Sequence, residues 1–559
     1  MQNKISFTLI LAAAILVTSC SKMGPLSADY FTVTPNPLEA TAGKVPATIS
    51  GLFPEKYMKR NAIVTVTPVL RYQGGEAEGQ PVTFQGEKVE GNNQTISYRM
   101  GGNYTMRTSF NYVEPMQKSE LFLKFDVRSG KKAYNVPDVK VADGVLATSE
   151  LVKRTLVSAP TAYATDNFQR IIKQKQEANI QFLVNQAIIR TGELKSVSVQ
   201  QFLSTLRDIQ ADTNAKGVEN VEISSYASPE GSLQFNTTLA QNRGKNTQDY
   251  VSQQLAESGL DAEVNTKYTA EDWEGFQQLV SKSNIQDKDV ILRVLSMYQD
   301  PEEREAQIRN ISAAYTDLAK EILPQLRRSR IMLNYKLIGR SDSQIRSQYA
   351  SDPSKLSVDE LLYAANIAKS PAEKKNILQS AASIYPSDYR AFNNLATLAY
   401  QSGDYAAARD YVAKALALNA NAPEANVNSG LLQLIAGNAD AATQALAKGS
   451  GAEDLNDALG NLNLMQGNYA QAVKYFGKSA SNSAALAQIL SKDYLAANNT
   501  LSRIAQPDAM TDYLKAVIAA RTNNPDLAMT NLRAAVAKNP SLADIAKKDL
   551  EFAKLNLNF

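Results

Sequence analysis

The sequence predicts a multidomain α+β chain: an N-terminal β-sandwich, a central α/β sandwich carrying a helical insertion, and a C-terminal α-solenoid. Three observations lead there. Apolar and polar residues alternate with period two between Asp29 and Val141, strand patterns alternate with amphipathic helical ones across 178–341, and from about Leu356 the composition shifts to Ala, Leu and Asn with a recurring Gly-Asn or Gly-Asp turn. The 559 residues exceed what one hydrophobic core usually serves. The expected boundaries are 1–19 for a signal segment, 27–145 for the sandwich, 146–177 for a connector, 178–341 for the α/β domain with its insertion at about 272–325, and 355–559 for the repeats.

Composition removes whole classes of chemistry. The chain has no histidine and one cysteine, so His-based acid/base catalysis, Ser-His-Asp and Cys-His nucleophiles, and His/Cys metal sites are excluded. A formal net charge of +3 gives no support to a nucleic-acid partner. No phosphate loop or EF-hand loop is present, and no cofactor or metal is expected.

At the N-terminus, Lys4 precedes an apolar run from Ile5 to Val17, and Val17-Thr18-Ser19-Cys20 follows. That run has the length of a secretory signal core and is short for a bilayer span. The stretch resembles a bacterial lipobox. The resemblance implies cleavage before Cys20, lipidation of Cys20, and membrane anchoring by acyl chains such as palmitate. No aspartate follows the cysteine, so the outer membrane is expected, with the leaflet open.

Over Asp29–Val141, Tyr104, Met106, Phe110 and Tyr112 alternate with polar residues, as do Leu121, Leu123, Phe125 and Val127. Turn signals at Gly74-Gly75, Gly91-Asn92-Asn93, Gly101-Gly102-Asn103 and Ser129-Gly130 space these strands as in an antiparallel sandwich. The aromatic strand is read as core filling rather than a contact surface, and no ligand is assigned. The polar span from Leu151 to Ala178, with Pro160, reads as linker.

In the central region Ile180, Phe182 and Val184 predict a first strand, Val199, Phe202, Leu203, Leu206 and Ile209 a helix, and Val221 with Ile223 a second strand. A turn with Pro229 and Gly231 opens a helix running through Tyr250 to Leu255. Residues 272–325 read as helical, with Asp300-Pro301-Glu302-Glu303 as an N-terminal cap, and Arg328 to Gly339 closes the domain as a strand. Ser224–Gly244 resembles the signature of the OmpA-like peptidoglycan-binding family, whose aspartate and arginine grip diaminopimelate of the wall stem peptide. The resemblance puts Arg243 at the arginine position, Asn236 and Leu239 at the Asn and Leu, Gly231 at the turn glycine, and Ser228 where the family has aspartate. Glu230 is the carboxylate placed to stand in for it, two residues on. Three readings stay open: wall binding with Glu230 or Ser228 substituting, binding of a different wall fragment, or a fold kept as scaffold. A hydrolase built on Glu271 and Asp272 is disfavoured, because adjacent side chains point apart.

Gly403-Asp404-Tyr405, Gly437-Asn438-Ala439 and Gly467-Asn468-Tyr469 each stand shortly before an alanine, at Ala408, Ala442 and Ala472. These turns resemble those of tetratricopeptide repeats, most fully over Tyr389–Ala422. About five repeats are implied, and a groove for protein partners in which Asn394, Asn428 and Asn461 are the candidate contacts. The expected function is a non-catalytic outer-membrane lipoprotein that contacts the peptidoglycan stem peptide and recruits envelope proteins through its repeats. The rival is a surface adhesin, or a fimbrial or secretion assembly component, whose central domain has lost wall binding.

Overall fold

A computed structural model describes residues 23–229, 231–310 and 312–558. The signal segment 1–19, Cys20 and Glu230 therefore lie outside the described residues. The chain divides into two compact units, Met1–Thr165 with Ser370–Phe559, and Asp166–Lys369. The first is discontinuous in sequence, and the second is wider than the expected 178–341.

The first unit opens with β1 (Phe31–Thr34), β2 (Leu38–Glu39), β3 (Lys44–Phe53), β4 (Ala62–Tyr72), β5 (Gly75–Glu78), β6 (Val82–Gly86), β7 (Gln94–Ile96) and β8 (Gly102–Asn111). It continues with β9 (Ser119–Ser129), β10 (Lys132–Asn135), β11 (Val139–Asp143) and β12 (Val145–Leu146). One sheet runs β1-β3-β8 and the other β10-β9-β4-β6-β7, with β5 on β4 and β11 on β9. Val45, Ile49 and Met106 of the first sheet and Val64, Leu121 and Phe125 of the second belong to one buried cluster, so the two sheets share a core. Tyr104 lies in that core, its ring centroid 4.4 Å from Phe84 and 5.1 Å from Phe53, as the period-two reading expected.

The sandwich is not purely antiparallel, since β6 pairs with β7 and β12 with β2 in parallel. For β7 the cause is a buried side chain. Gln85 Nε2 donates to the carbonyls of Val89 (3.1 Å) and Gly91 (3.0 Å), and its Oε1 accepts from Asn93 N–H (3.2 Å). This holds 87–93 as a wide loop that returns the chain in the same direction.

The span read as linker has three parts. Helical turns occupy Thr148–Leu151, α1 (Val152–Thr155) and Leu156–Ser158, then 159–165 runs without helix or strand. The rest is a strand of the second unit, β13 (Ile171–Gln181), which starts earlier than the Ile180–Val184 alternation suggested and ends before it does. Its first residues are mostly exposed, so no apolar alternation marks them; the ladder comes from full-length antiparallel pairing with the last strand.

The second unit continues with α2 (Val197–Ala211), β14 (Lys216–Tyr226), α3 (Leu233–Glu257), β15 (Glu263–Thr269), α4 (Trp273–Lys282), α5 (Lys288–Met297), α6 (Pro301–Asn310), α7 (Ser312–Asp317), a π-helical turn at Leu318–Ile322, α8 (Leu323–Leu326), β16 (Arg328–Ile338), α9 (Asp342–Ser351) and α10 (Val358–Asn366). The sheet order is β13-β16-β14-β15, with β15 parallel to β14. β15 had no counterpart in the sequence reading, because none of its seven residues is buried. Phe202 and Leu206 of α2, Val251 of α3, and Ile180, Ile223 and Leu333 of the strands form one core. The insertion is helical as expected and has its own core around Phe276, Ile291, Leu318 and Leu326. Asp300 Oδ1 accepts from Glu302 and Glu303 N–H, both at 3.0 Å, capping α6 as predicted.

The first unit resumes with α11 (Pro371–Ile384), α12 (Tyr389–Gln401), α13 (Tyr405–Leu418), α14 (Pro423–Ile435), α15 (Ala439–Leu446), α16 (Leu455–Met465), α17 (Tyr469–Phe476), α18 (Asn482–Leu490), α19 (Tyr494–Ser502), α20 (Ala509–Arg521), α21 (Pro525–Lys538) and α22 (Leu542–Lys548). Starting at α12 these are five helix pairs of tetratricopeptide type among the described residues. Each pair turns at one left-handed residue: Gly403 (φ 80°), Gly437 (81°), Gly467 (78°), Lys492 (65°) and Asn523 (57°). The next N–H reaches back five residues, as from Asp404 to Ala399 O and Asn524 to Ala519 O, both sealing the helix end. The irregular repeat length lies in both helices of a pair: the second shortens from 14 residues in α13 to eight in α15 and α17, and the first from 13 in α14 to nine in α18.

Candidate functional site

Two places collect the predicted residues. The first is the turn between β14 and α3. Ser232 caps α3 by accepting from Phe235 N–H (3.4 Å). Asn236, one turn in and buried, donates through Nδ2 to Gly231 O (3.0 Å) and to Glu271 Oε1 (3.2 Å). Glu271 Oε2 accepts from Trp273 Nε1 at 2.9 Å. The segment after β15 is stitched to the turn by Ala227 N–H to Thr269 O (3.3 Å) and Asp272 N–H to Ala227 O (3.4 Å). Glu271 is thus a residue the motif comparison missed in this role, because the contact comes from a strand end 35 residues after Asn236.

Two arginines at the head of β16 reach the same place. Arg327 Nε donates to Ser228 Oγ (3.3 Å), and Arg328 Nη2 pairs with Asp272 Oδ2 (3.2 Å) while its guanidinium lies 5.5 Å from the Tyr226 ring centroid. Asp272 Oδ1 caps α4 through Gly275 N–H (2.9 Å). Burial raises the Asp272 carboxyl pKa, and the Gly275 N–H and Arg328 pull against that rise. Glu271 and Asp272 therefore face different partners, as adjacent side chains should. Among the described residues no group of three or more His, Cys, Asp or Glu could hold a metal.

Arg243 is placed differently from an exposed grip. It is fully buried, and donates from Nε to Gln186 O (2.9 Å), from Nη1 to Tyr226 O (2.8 Å) and from Nη2 to Leu183 O (3.1 Å), with its guanidinium 5.1 Å from the Phe182 ring centroid. These bonds tie the loop after β13 to the end of β14. They hold the guanidinium in the interior rather than open at the surface.

The second place is the repeat groove. The first helices of successive pairs, α12, α14, α16, α18 and α20, pack side by side, and the strap 148–165 lies along them. Asn428 Oδ1 accepts from Ala162 N–H (2.9 Å) and its Nδ2 donates to Ala162 O (2.7 Å). Asn394 treats Ala164 in the same way, at 2.8 and 3.1 Å. Each side-chain amide thus mimics a neighbouring strand, and residues i and i+2 of an extended segment present both groups on one edge. Asn393 Nδ2 (3.0 Å) and Thr397 Oγ1 (3.3 Å) also donate to Ala162 O, and Tyr400 Oη donates to Leu156 O at 2.6 Å. At the far end Ser483 Oγ meets Thr155 Oγ1 (2.9 Å), and Arg521 Nη2 donates to Thr148 Oγ1 (3.3 Å).

Two of the three predicted groove asparagines therefore hold a peptide, and that peptide is the chain's own. Asn461 does not join them. Its Nδ2 bonds back to Asp457 O (2.9 Å) and its buried Oδ1 has no partner. The reason is conformational: α16 faces α1, where strap backbone groups are used within the helical turns, whereas Asn394 and Asn428 meet the extended part. Thr397 and Tyr400 were legible only as small or aromatic helix residues, and Asn393 only as one of several repeat asparagines.

No protein-family model matches the chain, and no curated protein matches it. Solved structures similar to it include a tetratricopeptide repeat protein from Parabacteroides merdae, 16% identical, covering 37% of this chain and 91% of that one with a TM-score of 0.29. Another is pilF of Pseudomonas aeruginosa, 19% identical, covering 36% and 95%, with a TM-score of 0.27. At such scores the assignment of the repeats rests on the five helix pairs and their turns.

Proposed function

We propose that this chain is a non-catalytic scaffold of the bacterial cell envelope, anchored by lipid on Cys20, with the central unit contacting the peptidoglycan stem peptide. The observation that carries the wall contact is the Asn236–Glu271 hydrogen bond beside the β14–α3 turn. Glu271 brings a carboxylate to the Asn of the motif, where Ser228 offers none. A zwitterionic stem-peptide end would set its ammonium on Glu271 and its carboxylate toward the Arg327 guanidinium beside Ser228. The outer membrane is the proposed location, and envelope proteins are the proposed partners of the repeat unit.

Co-sedimentation of the chain with purified peptidoglycan tests this. The wild type should pellet, and Glu271→Gln should bind at least about tenfold more weakly, since a charge-assisted hydrogen bond contributes about 1.5–3 kcal/mol. A wild type that stays in the supernatant removes the wall reading. A second reading, the fold retained as a scaffold without a wall ligand, is favoured by one observation: Arg243 is buried on three backbone carbonyls. Ser228→Asp separates the two, because it returns the family's carboxylate. It should strengthen sedimentation only if the turn still binds wall peptide.

A further inference from the structure

Two of the three groove residues expected to recruit partners are already engaged. Asn394 and Asn428 each bind both main-chain groups of one strap residue, and Ala162 and Ala164 are buried beneath them. The strap side chains in contact are small where the backbone is read, at Ala162 and Ala164, and bulky and apolar where it is helical, at Leu151, Val152 and Leu156, all within the core of the repeats or buried beside it. Tyr163 faces away from the asparagines, its hydroxyl donating to Gln401 Oε1 (3.2 Å) and its ring 4.0 Å from Lys374 Nζ. The lock is therefore specific in register: a shift of one residue would place Tyr163 where an alanine now fits and would turn the alanine N–H and C=O to the opposite edge.

We propose that residues 159–165 are a built-in ligand of the repeat groove, which is thereby closed to extended peptides in trans while the strap is seated. The segment it selects is extended and uncharged, with small side chains at alternate positions. A tethered segment acts at an effective concentration on the order of 1 mM, so a free peptide at about 10 μM faces roughly a hundredfold handicap. Partner proteins then meet this unit on surfaces other than the groove, or they must supply a segment able to displace the strap. This inference is independent of wall binding by the central unit.

The test uses the full chain and a fluorescein-labelled peptide of the strap sequence, Ser158 to Asp166, read by anisotropy. Wild type should bind it at least about a hundredfold more weakly than a strap variant, Ala162→Arg with Ala164→Arg, whose side chains cannot enter the groove. Adding Asn428→Ala to that variant should remove most of the binding. Equal binding by wild type and strap variant overturns the proposal, as does no binding by a strap variant that keeps wild-type helical circular dichroism. Should the variant not fold, amide hydrogen exchange of the wild type decides. The Ala162 and Ala164 amides should be strongly protected, and Asn428→Ala should release Ala162 preferentially; free exchange at both in the wild type overturns the proposal. Light scattering that finds a dimer held by exchanged straps would overturn the assignment in cis.

Discussion

Arg243 shows how one residue can satisfy a motif and still occupy a different environment from the one the motif suggests. Its spacing from Asn236 was legible in the sequence, but its burial was not, because the three carbonyls it binds belong to residues 183, 186 and 226. Arg243→Ala should destabilise the central unit by about 3 kcal/mol or more, since hydrogen bonds to a charged group contribute about 1.5–3 kcal/mol each and three acceptors lose their donor. Trp273 is the only tryptophan and lies in this unit, so urea unfolding followed by its fluorescence reads the loss directly. Asp549 makes a second prediction at this scale. It accepts from Tyr513 Oη (2.7 Å), and burial, with Glu551 adding to it, pushes its pKa up to about 6. The folded state then holds the proton more tightly than the unfolded chain, so this group's contribution to stability is greatest below about pH 4 and is lost as pH rises to about 6, a change of about 3 kcal/mol. Thermal melts of the chain should show this slope, and Asp549→Asn should flatten it.

Among the elements, turns and caps were the most legible. The glycine turns at 403, 437 and 467 gave the repeat, and the Asp300 cap gave α6, because both signals are local in sequence. Strands without a buried apolar face were not legible. The first half of β13 and all of β15 lack one, and only their neighbours in the sheet define them. The last two repeats, signalled by Asp493-Tyr494 and Asn524-Pro525, lack the glycine because Lys492 and Asn523 occupy the same left-handed position. That conformation costs a residue with a Cβ about 1 kcal/mol. Lys492→Gly should therefore stabilise the α18–α19 turn by roughly 0.5–1 kcal/mol, and Gly437→Ala, where a Cβ would meet nothing within 4 Å, should destabilise α14–α15 by a similar amount. Both are checked by melting followed at the helical circular dichroism band.

At the scale of the whole molecule, the sequence reading separated sandwich, connector and repeats, whereas 1–165 and 370–559 form one unit. The connector looked like a linker because its contacts are with residues more than 200 positions away, which no local pattern reports. Replacing 148–165 with Gly and Ser should uncouple the unit. The wild-type sandwich and repeats should melt in one transition, and the variant in two, as resolved by calorimetry.

The discontinuity of this unit also sets an order of events during synthesis. The strap leaves the ribosome about 260 residues before Asn428, a delay of roughly 13–50 s at ordinary elongation rates. Through that interval Leu151, Val152 and Leu156 have no repeat helices to cover them, while 166–369 can already complete its own cores. Residues 389–490 thus close a segment made far earlier, and truncation between 370 and 388 strands that apolar segment.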